Sequence, residues 1–270
     1  MLKYRIITAA ILVPITLIVL FYLPPLAFFI MTSIVMFGAA WEWTGLMGLQ
    51  EKSKRWLYLL AVMLLMGWAL FLPMKIIFIA AFVWWIVAIV LIRIYPELGG
   101  WWGSGYILRG LMGFLVLVPC WVAINFIRNQ NDGIYTLFFL FVLIWGADSA
   151  AYFVGKKWGR TKLAPLVSPG KSREGVLGAL LFSTLIAVAA LYIGQFPTRM
   201  WIWAMVLSLI TVMFSIVGDL FESMMKRQIG VKDSGSLLPG HGGILDRIDS
   251  LTSAAPVFVL GGLIMSKYLH

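Results

Sequence analysis

Asp219, Glu222, Ser223 and Lys226 stand three, four and seven positions apart, which on a helix is one face. The surrounding residues are apolar, so these four would form a polar stripe on a hydrophobic rod. Structural glue against a neighbouring helix is the plain reading of such a stripe. An acid at membrane depth more often lines a wet site, because burying it in lipid is costly. Further along, Asp246-Arg247-Ile248-Asp249 places two more carboxylates on one helix face, near a helix start. The helix dipole favours acids there, so capping is their plain reading. Carboxylates contributed by two helices also suit a hard cation. Magnesium takes one or two protein carboxylates and completes its octahedron with water and substrate phosphates. The spacing predicts Mg2+ held by Asp219 and Asp246 with Asp249 close by, and leaves a second cation open.

Between these helices run Lys232-Asp233-Ser234-Gly235-Ser236 and Pro239-Gly240-His241-Gly242-Gly243. Glycines permit positive φ and close backbone approach. A glycine turn entering a helix near Ile244 would present free N–H donors to an anion. With Lys226, Arg227 and Lys232 nearby, the stretch predicts a phosphate cradle, and Asp233 would hold a cation or orient Lys232.

A second polar segment leads the same way. Asp148 lies inside an apolar run beside Ser149, with Tyr152 on its own face, and must find a partner or a cavity. Downstream come Lys156, Lys157, Arg160 and Lys162, then Ser168-Pro169-Gly170-Lys171-Ser172-Arg173-Glu174-Gly175. The Gly170-Lys171-Ser172 triplet is no P-loop, since Pro165 occupies the position of the first glycine and no strand precedes it. A basic loop with hydroxyls remains, suited to a triphosphate tail. Orientation in the membrane explains any one of these lysines as well.

The elements that position these residues must be membrane helices. Of 270 residues 62% are hydrophobic and 12% charged, against roughly a quarter charged in a soluble domain. Mean hydropathy is +0.97. Residues 6–23, 26–47, 56–72, 76–94, 111–127, 134–154, 176–193, 200–220 and 251–268 are each apolar and near the ~20 residues that cross a bilayer. The reading is an all-α polytopic integral membrane protein of about nine transmembrane helices. Strands are not expected, since barrel-type alternation is missing. The breaks fall at Pro24-Pro25, Pro73, Pro96, Gly133 and Gly194. With the N-terminus in the cytoplasm, the outside segments hold only Lys75, Arg128, Arg199 and Lys267 of the 21 Lys and Arg. That asymmetry places two polar loops, 155–175 and 221–250, on the cytoplasmic side. Residues 1–130 read as a scaffold or dimerisation region, and 131–270 as the catalytic region. The single Cys120 excludes an intrachain disulfide and reads as a packed core thiol. With two histidines, one of them terminal, a zinc site is not expected. Glu42, between Trp41 and Trp43, is given no role beyond pairing with a cation of the loop after it.

With these residues in view, the chain resembles the phosphatidate cytidylyltransferase (CDP-diacylglycerol synthase) family. Ser223, Lys226-Arg227, Lys232-Asp233, Pro239, His241-Gly242-Gly243, Asp246-Arg247 and Asp249 meet that family's C-terminal motif at every spacing. Asp148 to Tyr152 and Ser168 to Gly175 look like the family too, whereas the first five helices match only in being hydrophobic. The resemblance implies transfer of the CMP moiety of CTP to phosphatidic acid, giving CDP-diacylglycerol and pyrophosphate. It implies catalytic roles for Asp219, Asp246, Lys226, Arg227, Lys232 and His241. Substrate contacts would come from Asp148, Ser168, Lys171, Ser172, Glu174, Ser223, Asp233, Gly242, Gly243 and Arg247. The partners would be CTP and a membrane phosphatidate, with a homodimer left open and nucleic acid excluded. The site would face the cytoplasm from the inner cell membrane. The rival reading is a transporter or ion pathway through Asp148 and Asp219. Charged material gathered in two loops, without an inverted repeat, speaks against it.

Overall fold

The computed structural model describes residues 2–102, 105–237 and 242–269. The apolar runs become helices, where every backbone polar group can be satisfied within the segment. They are α1 (Leu2–Tyr22), α2 (Pro25–Leu46), α3 (Lys52–Ala69), α4 (Met74–Trp102), α5 (Tyr106–Arg128), α6 (Gly133–Trp158), α7 (Arg173–Ile193), α8 (Trp201–Gln228) and α9 (Leu245–Leu269). α2 carries Pro25 at its first turn, where a missing N–H costs nothing. Ser172 caps α7 by accepting from the Gly175 N–H at 3.1 Å.

Seven of the helices, α2 and α4–α9, are long and apolar enough to cross a membrane, so the chain is an all-α polytopic membrane protein. The apolar part of α1, Ala10–Tyr22, is shorter. α3 is weakened as a span by Lys52, Lys54 and Arg55 at its start.

Several expectations are corrected. α4 runs on through Pro96 instead of breaking there. Arg109, left outside the apolar run 111–127, is buried in α5 and donates from Nη1 to the Leu46 carbonyl at 3.3 Å. The loop limits were too wide, because α6 extends to Trp158, α8 to Gln228, and α9 begins already at Leu245. The limits followed the drop in hydropathy, which comes before the helices end because their last turns are polar. Strands were wrongly excluded as well: β1 (Lys162–Ala164) and β2 (Ser168–Ser172) form an antiparallel hairpin, with Lys162 opposite Ser172. A search for long alternating barrel strands cannot see so short a pair.

The core is aromatic and spans both halves of the chain. Trp43, Trp85, Trp121, Phe78 and Phe221 are fully buried, and Trp84 and Trp85 meet the Phe221 ring edge to face. Cys120 lies buried in this core, as a packed thiol. α2 packs on α5, α4 and α5 pack on α8 or α9, and α8 packs along α9. The N-terminal helices are thus in direct contact with the helices that carry the polar stripe. Gly218 lets α8 and α9 come close, since a Cβ there would strike the Ser253 hydroxyl and the Asp249 carbonyl.

Candidate active site

α8 and α9 run antiparallel, in a register that sets Gly218 against Ser253 and Lys226 against Asp246. The stripe foreseen on α8 therefore faces the two carboxylates of α9, and two groups of charges result.

The first group is fed by the hairpin. Lys171, on β2, places its Nζ 2.6 Å from Asp219 Oδ2, while Ser223 donates its hydroxyl to Asp219 Oδ1 at 3.3 Å. Asp148 of α6 and Asp249 of α9 both feel Lys171 and Asp219 electrostatically. Ser250 joins these two acids: its hydroxyl donates to Asp148 Oδ2 at 3.3 Å and its N–H to Asp249 Oδ1 at 2.7 Å. Three acids here face one ammonium, so the group is short of positive charge.

The second group lies two turns along α8, about 10 Å by helix rise. Lys226 donates to Asp246 Oδ1 at 2.6 Å. The same ammonium is 3.1 Å from Glu222 Oε1, an ion pair without hydrogen-bond geometry. Asp246 Oδ2 accepts from the Ser234 N–H at 3.0 Å and the Gly243 N–H at 2.8 Å. Gly242, at φ +80, makes the turn that aims the second amide. Asp246 is thus fully used within the protein. Glu222 is buried with neither oxygen hydrogen-bonded.

The remaining expected residues divide. Arg227 turns away from the carboxylates and staples the two polar segments together: Nε donates to the Val167 carbonyl at 3.3 Å and Nη1 to the Val231 carbonyl at 3.1 Å. Ser172 is occupied as the α7 cap. Glu174 accepts the Thr161 N–H on both oxygens, at 3.1 and 3.2 Å, and closes the hairpin. Ser168 sits in the ladder opposite Ala164. Lys232, Asp233 and Arg247 are exposed, and among the described residues no ion pair holds them. His241 lies outside the described residues, as do Pro239 and Gly240.

Sequence reasoning missed Glu42. It is buried on α2 and accepts from Ser234, Ile244 and Leu245. The signal was available, since a lone acid in an apolar run also drew attention to Asp148. The cation expected to pair with Glu42, from the loop after α2, goes elsewhere: Arg55 donates to Thr44 and to the Trp41 carbonyl and stacks over Trp41.

Beside the carboxylates opens an apolar cavity of about 680 Å3, walled by α1, α2, α6 and α9. Its polar end carries Asp148, Asp246, Arg247 and Asp249. A site of this shape offers apolar room next to a charged floor.

Among the described residues no three His, Cys, Asp or Glu are grouped to enclose a metal by themselves. The first group nonetheless has the right donor chemistry for magnesium: hard carboxylate oxygens, excess negative charge and an ammonium already standing among them. Such an ion needs only one or two protein carboxylates when phosphates supply the rest.

Comparison with known proteins agrees with these features. A model of the cytidylyltransferase family matches residues 3–264. A phosphatidate cytidylyltransferase of Pseudomonas aeruginosa is 46% identical over 260 residues, covering 96% of each chain. One of Haemophilus influenzae is 37% identical over 280 residues, covering 96% of this chain and 97% of its own.

Proposed function

The chain belongs to the cytidylyltransferase family, and we propose from that membership how the cleft between α6, α8 and α9 works. The reaction transfers the CMP moiety of CTP to phosphatidic acid, giving CDP-diacylglycerol and pyrophosphate, a step of phospholipid biosynthesis. The transport reading finds no support.

The acceptor is the phosphate monoester of the lipid. One of its oxygens attacks the α-phosphorus of CTP, the bond to the bridging oxygen of the β-phosphate breaks, and pyrophosphate leaves. The nucleophile is already an anion, so no strong base is needed. The obstacles are repulsion between two polyanions and the charge growing on the leaving group. Positioning and fixed positive charge overcome both.

The observation that carries the reading is the Lys171–Asp219 pair at 2.6 Å. A cation on a hairpin reaches a carboxylate in an acid-rich, partly open group. It is placed to exchange that partner for the triphosphate of CTP. Lys226, by contrast, is fixed between Asp246 and Glu222. Asp219 and Asp249 would hold magnesium, and Asp246 would join them only by releasing Lys226. When bound, the ion supplies neutralising charge to the phosphate oxygens. Lys232 and the Gly242 amide would add donors for phosphate, with His241 next to Gly242 in the sequence. The apolar cavity takes the acyl chains, and Arg247 at its polar end meets the lipid phosphate.

The same reading puts all nine helices across the inner cell membrane, with the amino terminus and both polar segments in the cytoplasm. CTP is available there, and the Lys and Arg asymmetry agrees. A homodimer is compatible with the exposed apolar faces of α3 and α4.

Purified protein supplied with radiolabelled CTP and phosphatidic acid, with and without Mg2+, tests the whole. Label should enter a lipid with release of pyrophosphate, and only with the divalent ion. Release of labelled CDP, or turnover unaffected by chelation, would refute the mechanism.

A further inference from the structure

We infer that Glu42 is a positioning residue for the catalytic end of α9, although it lies on α2, far outside the motif-bearing half of the chain. Its side chain is buried at 3% exposure. Oε1 accepts from the Ile244 N–H at 3.0 Å, and Oε2 from the Leu245 N–H at 2.8 Å and the Ser234 hydroxyl at 3.1 Å. Ile244 and Leu245 are the entry to α9, where backbone N–H groups have no intrahelical acceptor. A carboxylate is a strong partner for them, by hydrogen bond and by the helix dipole.

A second carboxylate grips the same loop from its other side. Asp246 Oδ2 takes the backbone N–H groups of Ser234 and Gly243, while Glu42 takes the Ser234 hydroxyl and the next two amides. Both ends of the 234–243 loop are therefore clasped between two acids. Glycines at 235 and 243 leave the room, since a Cβ at either would collide with the Glu42 carboxylate. The clasp fixes where Asp246 stands relative to Lys226, and where α9 begins. Asp249 follows on the next turn. Glu42 acts through Ser234 and the start of α9, and so on Asp246. The inference rests on the reading of α8 and α9 as the reaction site.

Glu42→Gln tests it. Glutamine keeps the shape, but it offers one acceptor oxygen and one NH2 group to a site that presents only N–H and O–H donors. Loss of hydrogen bonds to a charged acceptor should lower kcat about tenfold to a hundredfold. The protein should stay folded by thermal unfolding in detergent, and the KM for CTP should change little. Glu42→Asp, which keeps two acceptor oxygens, should recover part of kcat. Ser234→Ala should lose several-fold in kcat alone and add nothing to Glu42→Gln, because both changes open one clasp. A folded Glu42→Gln with wild-type kcat overturns the inference. So does an activity loss accounted for by unfolded protein, with kcat per folded molecule intact. If Glu42→Gln does not fold, Ser234→Ala decides, and unchanged kcat there overturns the inference. Asp246→Asn run in parallel separates the two ideas. If it stays active, the reading of the site fails; if it is dead while Glu42→Gln is normal, only the role of Glu42 fails.

Discussion

Two lysine–carboxylate pairs lie on the same face of α8, each closed to 2.6 Å, and they differ in nearly everything else. Lys226 and Asp246 are 10% and 7% exposed, and Lys171 and Asp219 are 25% and 27% exposed. Asp246 has backbone donors and a second acid beside its lysine, whereas Asp219 has a single serine hydroxyl besides its own. Lys226 is carried by the helix it serves, and Lys171 arrives on a hairpin. On the proposed mechanism the buried pair holds the cleft together, and the more exposed pair is where substrate charge would enter. Equal distances thus conceal unequal jobs, because exchange with a ligand needs access and a movable partner.

The largest expected effect comes from breaking the buried pair. Lys226→Met leaves Asp246 and Glu222 without their cation, and stranding a buried charge costs about 3–5 kcal/mol. Thermal unfolding in detergent should fall sharply, and activity should vanish with it. An unchanged midpoint would erase the distinction between the pairs. Asp219→Asn comes next. It should lower kcat by about a hundredfold, the scale on which one preorganised charge-stabilising group is felt, with unfolding close to wild type. Asp249→Asn sharpens the metal assignment. The Mg2+ concentration for half-maximal rate should rise at least about tenfold, and a normal magnesium titration would move the ion away from this acid. Lys171→Ala should raise the KM for CTP about tenfold, as expected for one lost charge-assisted contact, while that for phosphatidate holds. Equal effects on both substrates would mean that the hairpin serves more than the nucleotide. The smallest effect belongs to the exposed Lys54–Glu51 pair, at 2.8 Å. Glu51→Gln should change neither unfolding nor rate, as is usual for solvated ion pairs.

Much of this was legible before any coordinates. The stripe of Asp219, Glu222, Ser223 and Lys226 follows from helical period alone, and α8 carries it through to Gln228 as a helix. The importance of Asp148 followed from the cost of burying an acid, and it joins Ser250 and the α9 acids. Other placements were not legible, for identifiable reasons. Arg227 is adjacent to Lys226 in sequence, but the helix turns it through about 100°, onto the backbone of the two loops. Ser172 and Glu174 were expected as substrate contacts from the family resemblance, and in the structure they are engaged within the protein. Helix capping and hairpin closure claimed them first. The hairpin itself escaped because its strands are too short to show a period.

Hydropathy, helical spacing and charge asymmetry are properties of neighbours along the chain, so the linear order of residues was enough to determine a membrane protein, its polar face and its family. Which acid meets which lysine depends on the register of α8 against α9, on where a hairpin folds back, and on α2 arriving beneath the start of α9. Those contacts join residues as far apart as Glu42 and Leu245. They are set by packing in three dimensions, on which one-dimensional spacing is silent.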